Sequence, residues 1–150
     1  MNDIRIAREF CFQYLFHLQL PVFESLRIEY TETQDDAELM DSIRQFKEST
    51  NSIFSDSSNK YIEASIKGTI ENYPKIEEII ERNLKNWKLG RLSKVDHTNL
   101  LLAVNELCYN TQAPTSVVIN EAIEISKKFG TLESSAFVNG VLDNIAKNEK

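Results

Sequence analysis

Apolar residues recur at helical spacing almost throughout the chain, and strict alternation over strand lengths is hard to find. The pattern predicts an all-α fold of about seven helices. Ile4, Ala7, Cys11, Tyr14, Leu15 and Leu18 make one stripe of a first helix, which Pro21 ends. Phe10, Phe12 and Phe16 point elsewhere, so this helix is either central to the fold or presents an aromatic patch to a partner. Leu39, Ile43 and Phe46 suggest a second helix behind the acidic cap candidates Asp35 and Asp36, followed by a polar loop, "ESTNSIFSDSSNK". A third helix places Ile62, Ile66, Thr69, Ile70 and Tyr73 on one face and stops at Pro74, and a fourth carries Ile76, Ile79, Ile80, Leu84 and Trp87.

The second half is more strongly patterned. Ser93-Lys94-Val95-Asp96 has the form of a capping box, with the serine side chain accepting one orphan amide and the acid reaching back to another. The fifth helix that starts there runs through Leu100, Leu101, Leu102, Ala103, Val104 and Leu107, apolar nearly all round, as a helix buried between others requires. Pro114 suits the first turn of a sixth helix with Val118, Ile119, Ala122, Ile125 and Phe129 on its face. Gly130 then supplies a left-handed C-terminal position. A seventh helix from about Ser134 lines up Phe137, Val138, Val141, Leu142 and Ile145.

At 150 residues the chain fits one domain, residues 1–150, with no run near the roughly 18 apolar residues of a membrane span and no secretory leader pattern. Cytoplasm is the expected location. Cys11 and Cys108 form no C-x-x-C, and no P-loop, G-x-G-x-x-G, G-x-S-x-G or H-E-x-x-H occurs, so neither a cofactor, a metal site nor catalysis is indicated. His17 and His97 fall on different predicted helices. The net charge of −6 argues against a globally basic nucleic-acid binder, yet residues 82–94 hold five bases (Arg82, Lys85, Lys88, Arg91, Lys94) and no acid. That segment reads as a solvated connection or as a nucleic-acid or partner contact. Binding is the remaining class of function. Helix N-termini offer amides to phosphates, and nearby aromatics stack on unpaired bases, a form that the turn Gly130 to Ser135 leading into Phe137 shares. By residue type alone Phe137 reads as core rather than as a base platform.

The phrases "PTSVVINEAIEISKKFG" and "SSAFVNGVLDNI", with "NWKLGRLSKVDHTNLLLAVNEL" and "AREFCFQYLFHLQL" upstream, resemble the NusB family of transcription antitermination proteins. The resemblance implies an all-helical fold of two three-helix sub-bundles, approximately 1–73 and 74–150, and no enzymatic activity. It implies a NusE-like small-subunit ribosomal protein as partner and a single-stranded boxA element of nascent ribosomal RNA as ligand. Termination by the elongating RNA polymerase is thereby resisted. Arg5 and Arg8 would be what remains of the family's arginine-rich RNA contact; Glu133, Ser134 and Phe137 would form the other edge of the RNA site; Phe16 and Asp96 would face the NusE-like partner.

The sequence departs from the family pattern at several positions. Asp3 and Glu9 stand beside only two N-terminal arginines, and fewer phosphate contacts mean weaker, less salt-sensitive binding. Leu101 replaces an expected arginine, which fits deeper burial or a homodimer, and Asn105 replaces an aromatic residue. Two other readings follow: a protein–protein or RNA scaffold with reduced direct RNA binding, and the non-catalytic domain of an RNA methyltransferase.

Overall fold

The computed structural model describes residues 3–18, 20–85 and 89–150. Among the described residues there are eight α-helices and no strand: α1 Asp3–His17, α2 Leu20–Thr33, α3 Ala37–Ser49, α4 Asp56–Glu71, α5 Tyr73–Arg82, α6 Lys94–Cys108, α7 Thr115–Phe129 and α8 Ser134–Glu149. A 3₁₀ turn, Leu89–Arg91, precedes α6. The all-α expectation holds. The helices divide into two compact units, Met1–Glu71 and Asn72–Lys150.

The helix that the apolar pattern misses is α2. Pro21 sits in its first turn, where the missing N–H would have found no intrahelical acceptor in any case. The stripe of α2 is thin, because among its described side chains only Phe23 and Leu26 are buried while Val22 and Ile28 are exposed. The polar segment read as a long loop is also mostly helical. Helix α3 runs to Ser49 and α4 begins at Asp56, where the Ser58 N–H donates to Ser55 Oγ at 3.2 Å in the manner of a cap. Helix α5 stops at Arg82, so Leu84 follows it rather than extending its face, and Trp87 lies outside the described residues.

In the first unit α1 is central rather than a presented aromatic face. It packs on α4, while α2 packs on α3 and α4. Phe10, Phe12 and Tyr14 are all buried, and the Phe10 ring lies 5.4 Å from Phe46 and 5.1 Å from Phe54, spacings at which tilted rings attract. The Tyr14 hydroxyl pairs with Ser42 Oγ at 2.8 Å, and burial pushes its pKa up to about 12. His17 stacks on Phe46 at 4.2 Å. Its Nδ1 lies 2.6 Å from the Tyr14 carbonyl oxygen.

In the second unit α6 packs against α5, α7 and α8, and every residue from Thr98 to Leu107 is buried. Ile76, Ile80, Leu100, Val104, Val118, Ala122, Val138, Leu142 and Ile145 make the core, and Leu101 is buried with them. Two asparagines share this helix with opposite fates. Asn99 donates to the Ala122 carbonyl at 2.9 Å and to Ser126 Oγ at 3.1 Å, tying α6 to α7. Asn105 is 0% exposed, and neither its amide nitrogen nor its amide oxygen has a hydrogen-bond partner among the described residues. An unpaired buried polar group costs about 1–3 kcal/mol. Asn105→Leu, which keeps the heavy-atom skeleton and removes the polar atoms, is therefore expected to raise stability by about 1–2 kcal/mol in urea denaturation. A lower midpoint would show that the amide has a partner.

The end of α8 is clamped to the end of α5. Arg82 donates twice to Glu149, from Nε at 2.8 Å and from a terminal nitrogen at 2.6 Å, and Asn83 Nδ2 adds a bond at 3.0 Å. The guanidinium and the Asn83 amide lower the Glu149 carboxyl from 4.5 to about 2. A carboxyl depressed on folding contributes stability that is complete above its unfolded pKa and is lost as pH falls through its folded one. Glu149→Gln is thus expected to flatten the fall in thermal stability between pH 4.5 and about 2. An acid limb identical to that of the parent protein would contradict this role.

A second cross-helix pair joins α5 to α6. His97 Nε2 lies 2.5 Å from Glu77 Oε2. Half-burial opposes ionisation of Glu77, but the bonds from His97 and Tyr73 hold it below the usual carboxylate range. His97 is accordingly a bonded helix residue.

Candidate nucleic-acid interface

The turn between α7 and α8 is built on two small residues. Gly130 is extended, with φ −96° and ψ −168°, and not in the left-handed conformation that its place after α7 suggests. Glycine is needed there for room: a Cβ would lie 2.5 Å from Ser134 Oγ, 2.7 Å from Ser134 Cβ and 2.8 Å from the Ser126 carbonyl oxygen. That closeness lets the chain fold back on itself. Ser134 Oγ accepts from the Thr131 N–H at 3.0 Å, and the Ser134 N–H donates to the Thr131 carbonyl at 3.2 Å. The Phe137 N–H donates to the Glu133 carbonyl at 3.1 Å, the first i→i−4 bond of α8.

Sequence-predicted site residues come to different places within this turn. Ser134 is buried, and its hydroxyl is used in closing the turn. Glu133 is exposed at the N-terminus of α8 and makes no side-chain cap bond. Phe137 is half-buried and packs on the core of the second unit with part of its ring uncovered. Leu132, at the tip, is 98% exposed.

Facing the turn are the 3₁₀ segment and the start of α6, and between them lies an open concavity of about 370 Å³ lined by Arg91, Ser93, Asp96, Glu133, Ser134 and Phe137. The Ser93 half of the capping box is formed, with the Asp96 N–H donating to Ser93 Oγ at 3.1 Å. The reciprocal half is not. Asp96 Oδ1 is buried with no hydrogen-bond partner among the described residues, so it does not return to the Ser93 amide, and Asp96 is one of the residues that line the concavity. The site therefore offers carboxylate acceptors from Asp96 and Glu133, a guanidinium from Arg91 and the face of an aromatic ring. Hydrogen-bond donors on a base edge, a phosphate and a base plane match those three features in turn.

Asp96, read as facing a protein partner, thus lies in the same concavity as Glu133, Ser134 and Phe137. Arg91 and Ser93 are lining residues that sequence reasoning did not assign to the site; the only signal was the basic run that meets the capping box. Of that run, Arg82 is committed to Glu149, Lys85, Arg91 and Lys94 are exposed, and Lys88 lies outside the described residues.

The remaining predicted residues belong to the first unit. Arg5 is exposed on α1. Arg8 is 5% exposed, with its guanidinium 5.3 Å from the centroid of the Tyr61 ring, a cation–π distance. Phe16 is half-buried and stacks on Phe12 at 5.8 Å. Among the described residues no cluster of His, Cys, Asp and Glu could hold a metal ion, and no helix is long and apolar enough to cross a membrane.

These features define an all-helical protein with an open, mixed-charge concavity at an interhelical turn. The chain belongs to the NusB family, whose model matches residues 5–147. A transcription antitermination protein NusB of Pseudothermotoga lettingae is 53% identical over 83 residues, which cover 55% of this chain and 59% of that protein. One of Bacillus cereus is 51% identical over 87 residues, 58% of this chain and 67% of the relative. The chain thus aligns with about three-fifths of the first relative's length. A solved NusB of T. maritima superposes with a TM-score of 0.74 at 34% identity, covering 97% of this chain and 91% of the other. The antitermination factors NusB and NusE solved in complex with double-stranded RNA provide a chain with TM-score 0.73 and 98% coverage of both; at 23% identity this likeness concerns the fold alone.

Proposed function

We propose that this chain is a transcription antitermination factor. It binds boxA-type single-stranded RNA of nascent ribosomal RNA transcripts together with a NusE-like small-subunit ribosomal protein, in the cytoplasm and without catalysis of its own. RNA polymerase is reached indirectly, through the assembly. The observation that carries the reading is the concavity at the α7–α8 turn, which Asp96, Glu133, Arg91 and the partly covered Phe137 line together. Membership of a family whose curated relatives are named for antitermination supports it.

Arg5, not Arg8, is the N-terminal arginine that α1 offers to a phosphate, because Arg8 is buried against Tyr61. Each phosphate neutralised on a single strand contributes about 0.7 to the slope of log affinity against log salt. Arg5→Gln is expected to shallow that slope by about 0.7 when boxA RNA is titrated at several salt concentrations. A scrambled RNA bound as tightly as boxA would refute sequence-selective binding. An unchanged slope would move the phosphate contact elsewhere, first to Arg91.

The burial of Arg8 and the net charge of −6 favour one second reading, a helical scaffold that keeps the fold with reduced direct RNA affinity. Its signature is a tight complex with the ribosomal protein that gains nothing when RNA is added.

A further inference from the structure

A second concavity begins where the first ends, and Phe137 lines both. Beyond that ring, the chain leaving α5 at Asn83 to Lys85 faces one side of α8 across an open groove of about 380 Å³. Phe137, Gly140, Asn144 and Lys147 line it along α8, at steps of three and four residues that keep them on one face. From Phe137 to Lys147 the stripe runs roughly 15 Å at 1.5 Å per residue.

Gly140 is the residue that packing does not explain. It is exposed in the middle of α8, its φ is not positive, and a Cβ added there would meet nothing within 4 Å. A glycine in that position weakens the helix relative to alanine and returns no internal contact. Bare backbone in a groove wall suits close approach by something outside the chain. Lys85 and Lys147 are both exposed and make no ion pair among the described residues, and the Asn144 side chain makes no hydrogen bond among them. Asp143 is the one carboxylate in the lining. Among the described residues the groove therefore offers two cations with no ion pair and an amide with no hydrogen bond, continuous with an aromatic ring.

We propose that this groove is a second stretch of the RNA path. A single-stranded segment leaving the Phe137 ring runs along α8 with phosphates at Lys85 and Lys147, its backbone close to Gly140 and a base edge at the Asn144 amide. This rests on the reading of the α7–α8 turn as an RNA site. Continuity through the ring, together with two lysines facing a polyanion, favours RNA over an acidic peptide.

The test compares a boxA core RNA with the same RNA extended by a few nucleotides, at one end and then the other, on the complex with the ribosomal protein. One extended RNA is expected to bind the parent protein more tightly than the core does. The double variant Lys85→Gln, Lys147→Gln is expected to abolish that gain and to shallow the salt slope for the extended RNA by about 1.4, two phosphates at about 0.7 each, with core binding unchanged. Gly140→Glu, which fills the groove with a better helix former, is expected to abolish the gain without loss of thermal stability. If the core binds but neither extension adds affinity, or the gain survives in the variants, the groove proposal is overturned while the turn site stands. Failure of the core to bind overturns both. Weaker association with the ribosomal protein in the variants, with the RNA gain intact, makes the groove a protein contact and overturns the proposal.

Discussion

Gly130→Val is expected to destabilise the protein by about 3 kcal/mol and to dismantle the candidate site in the same step. Any Cβ at that position would lie 2.5 Å from Ser134 Oγ and 2.8 Å from the Ser126 carbonyl oxygen. The serine could rotate away, but its Oγ then leaves the Thr131 N–H, and the carbonyl is main chain at the end of α7 and cannot move alone. Overpacking of this kind typically costs 1–3 kcal/mol, and a branched side chain against main chain falls at the upper end. Valine relieves nothing in return, because the backbone is extended rather than left-handed. Chemical denaturation measures the stability, and RNA titration of the fraction still folded measures the site. A variant as stable as the parent would show that the turn has room the geometry denies.

Phe137→Ala is expected to act twice. The ring is half-buried on the core of the second unit, so its removal loses part of a full phenylalanine burial, roughly 1–2 kcal/mol of stability. Its uncovered part lines the concavity, and loss of a stacked base would cost a further 1–3 kcal/mol or so of RNA affinity. Phe137→Leu separates the two effects. Leucine keeps most of the apolar contact with the core but presents no ring face, so stability should nearly recover while RNA binding stays weak. Recovery of RNA binding along with stability would make Phe137 a core residue with no base on it.

The helices of the second unit were legible in the apolar spacing because their stripes are long and fully used: Val118, Ala122, Val138, Leu142 and Ile145 all reach the core. Helix α2 was not, because Phe23 and Leu26 are too few to set a period and Pro21 reads as a stop as readily as a start. The candidate site was half legible. Spacing places Phe137 just inside a helix, but whether its ring faces the core or solvent depends on α5 and α6 arriving from elsewhere in the chain. The same holds for Asp96, whose capping-box role is local and visible, while its unpartnered oxygen and its place opposite Glu133 arise only when α6 and α8 are packed. Gly130 looked like a conformational glycine because its contact with Ser134 is made across the turn. Arg8 looked like a surface cation because Tyr61, which covers it, lies on another helix.

The two units also differ in what they can bring to a ligand. The first offers Arg5 on α1 with an interior filled by aromatic rings. The second offers the mixed set of carboxylates, guanidinium and ring around the α7–α8 turn. A chain with net charge −6 gains little long-range attraction for a polyanion, so RNA affinity has to come from this local chemistry and from a partner that brings positive charge. Dependence on the partner is therefore the property that most sharply separates an antitermination factor from a scaffold.

Partner-dependent RNA affinity is measured by titrating labelled boxA RNA into this protein alone, into the NusE-like ribosomal protein alone, and into the two together. The proposed function predicts weak binding by either protein and a gain of at least tenfold for the pair, which scrambled RNA does not share. Equal affinity for boxA with and without the partner, or none under either condition, would contradict it.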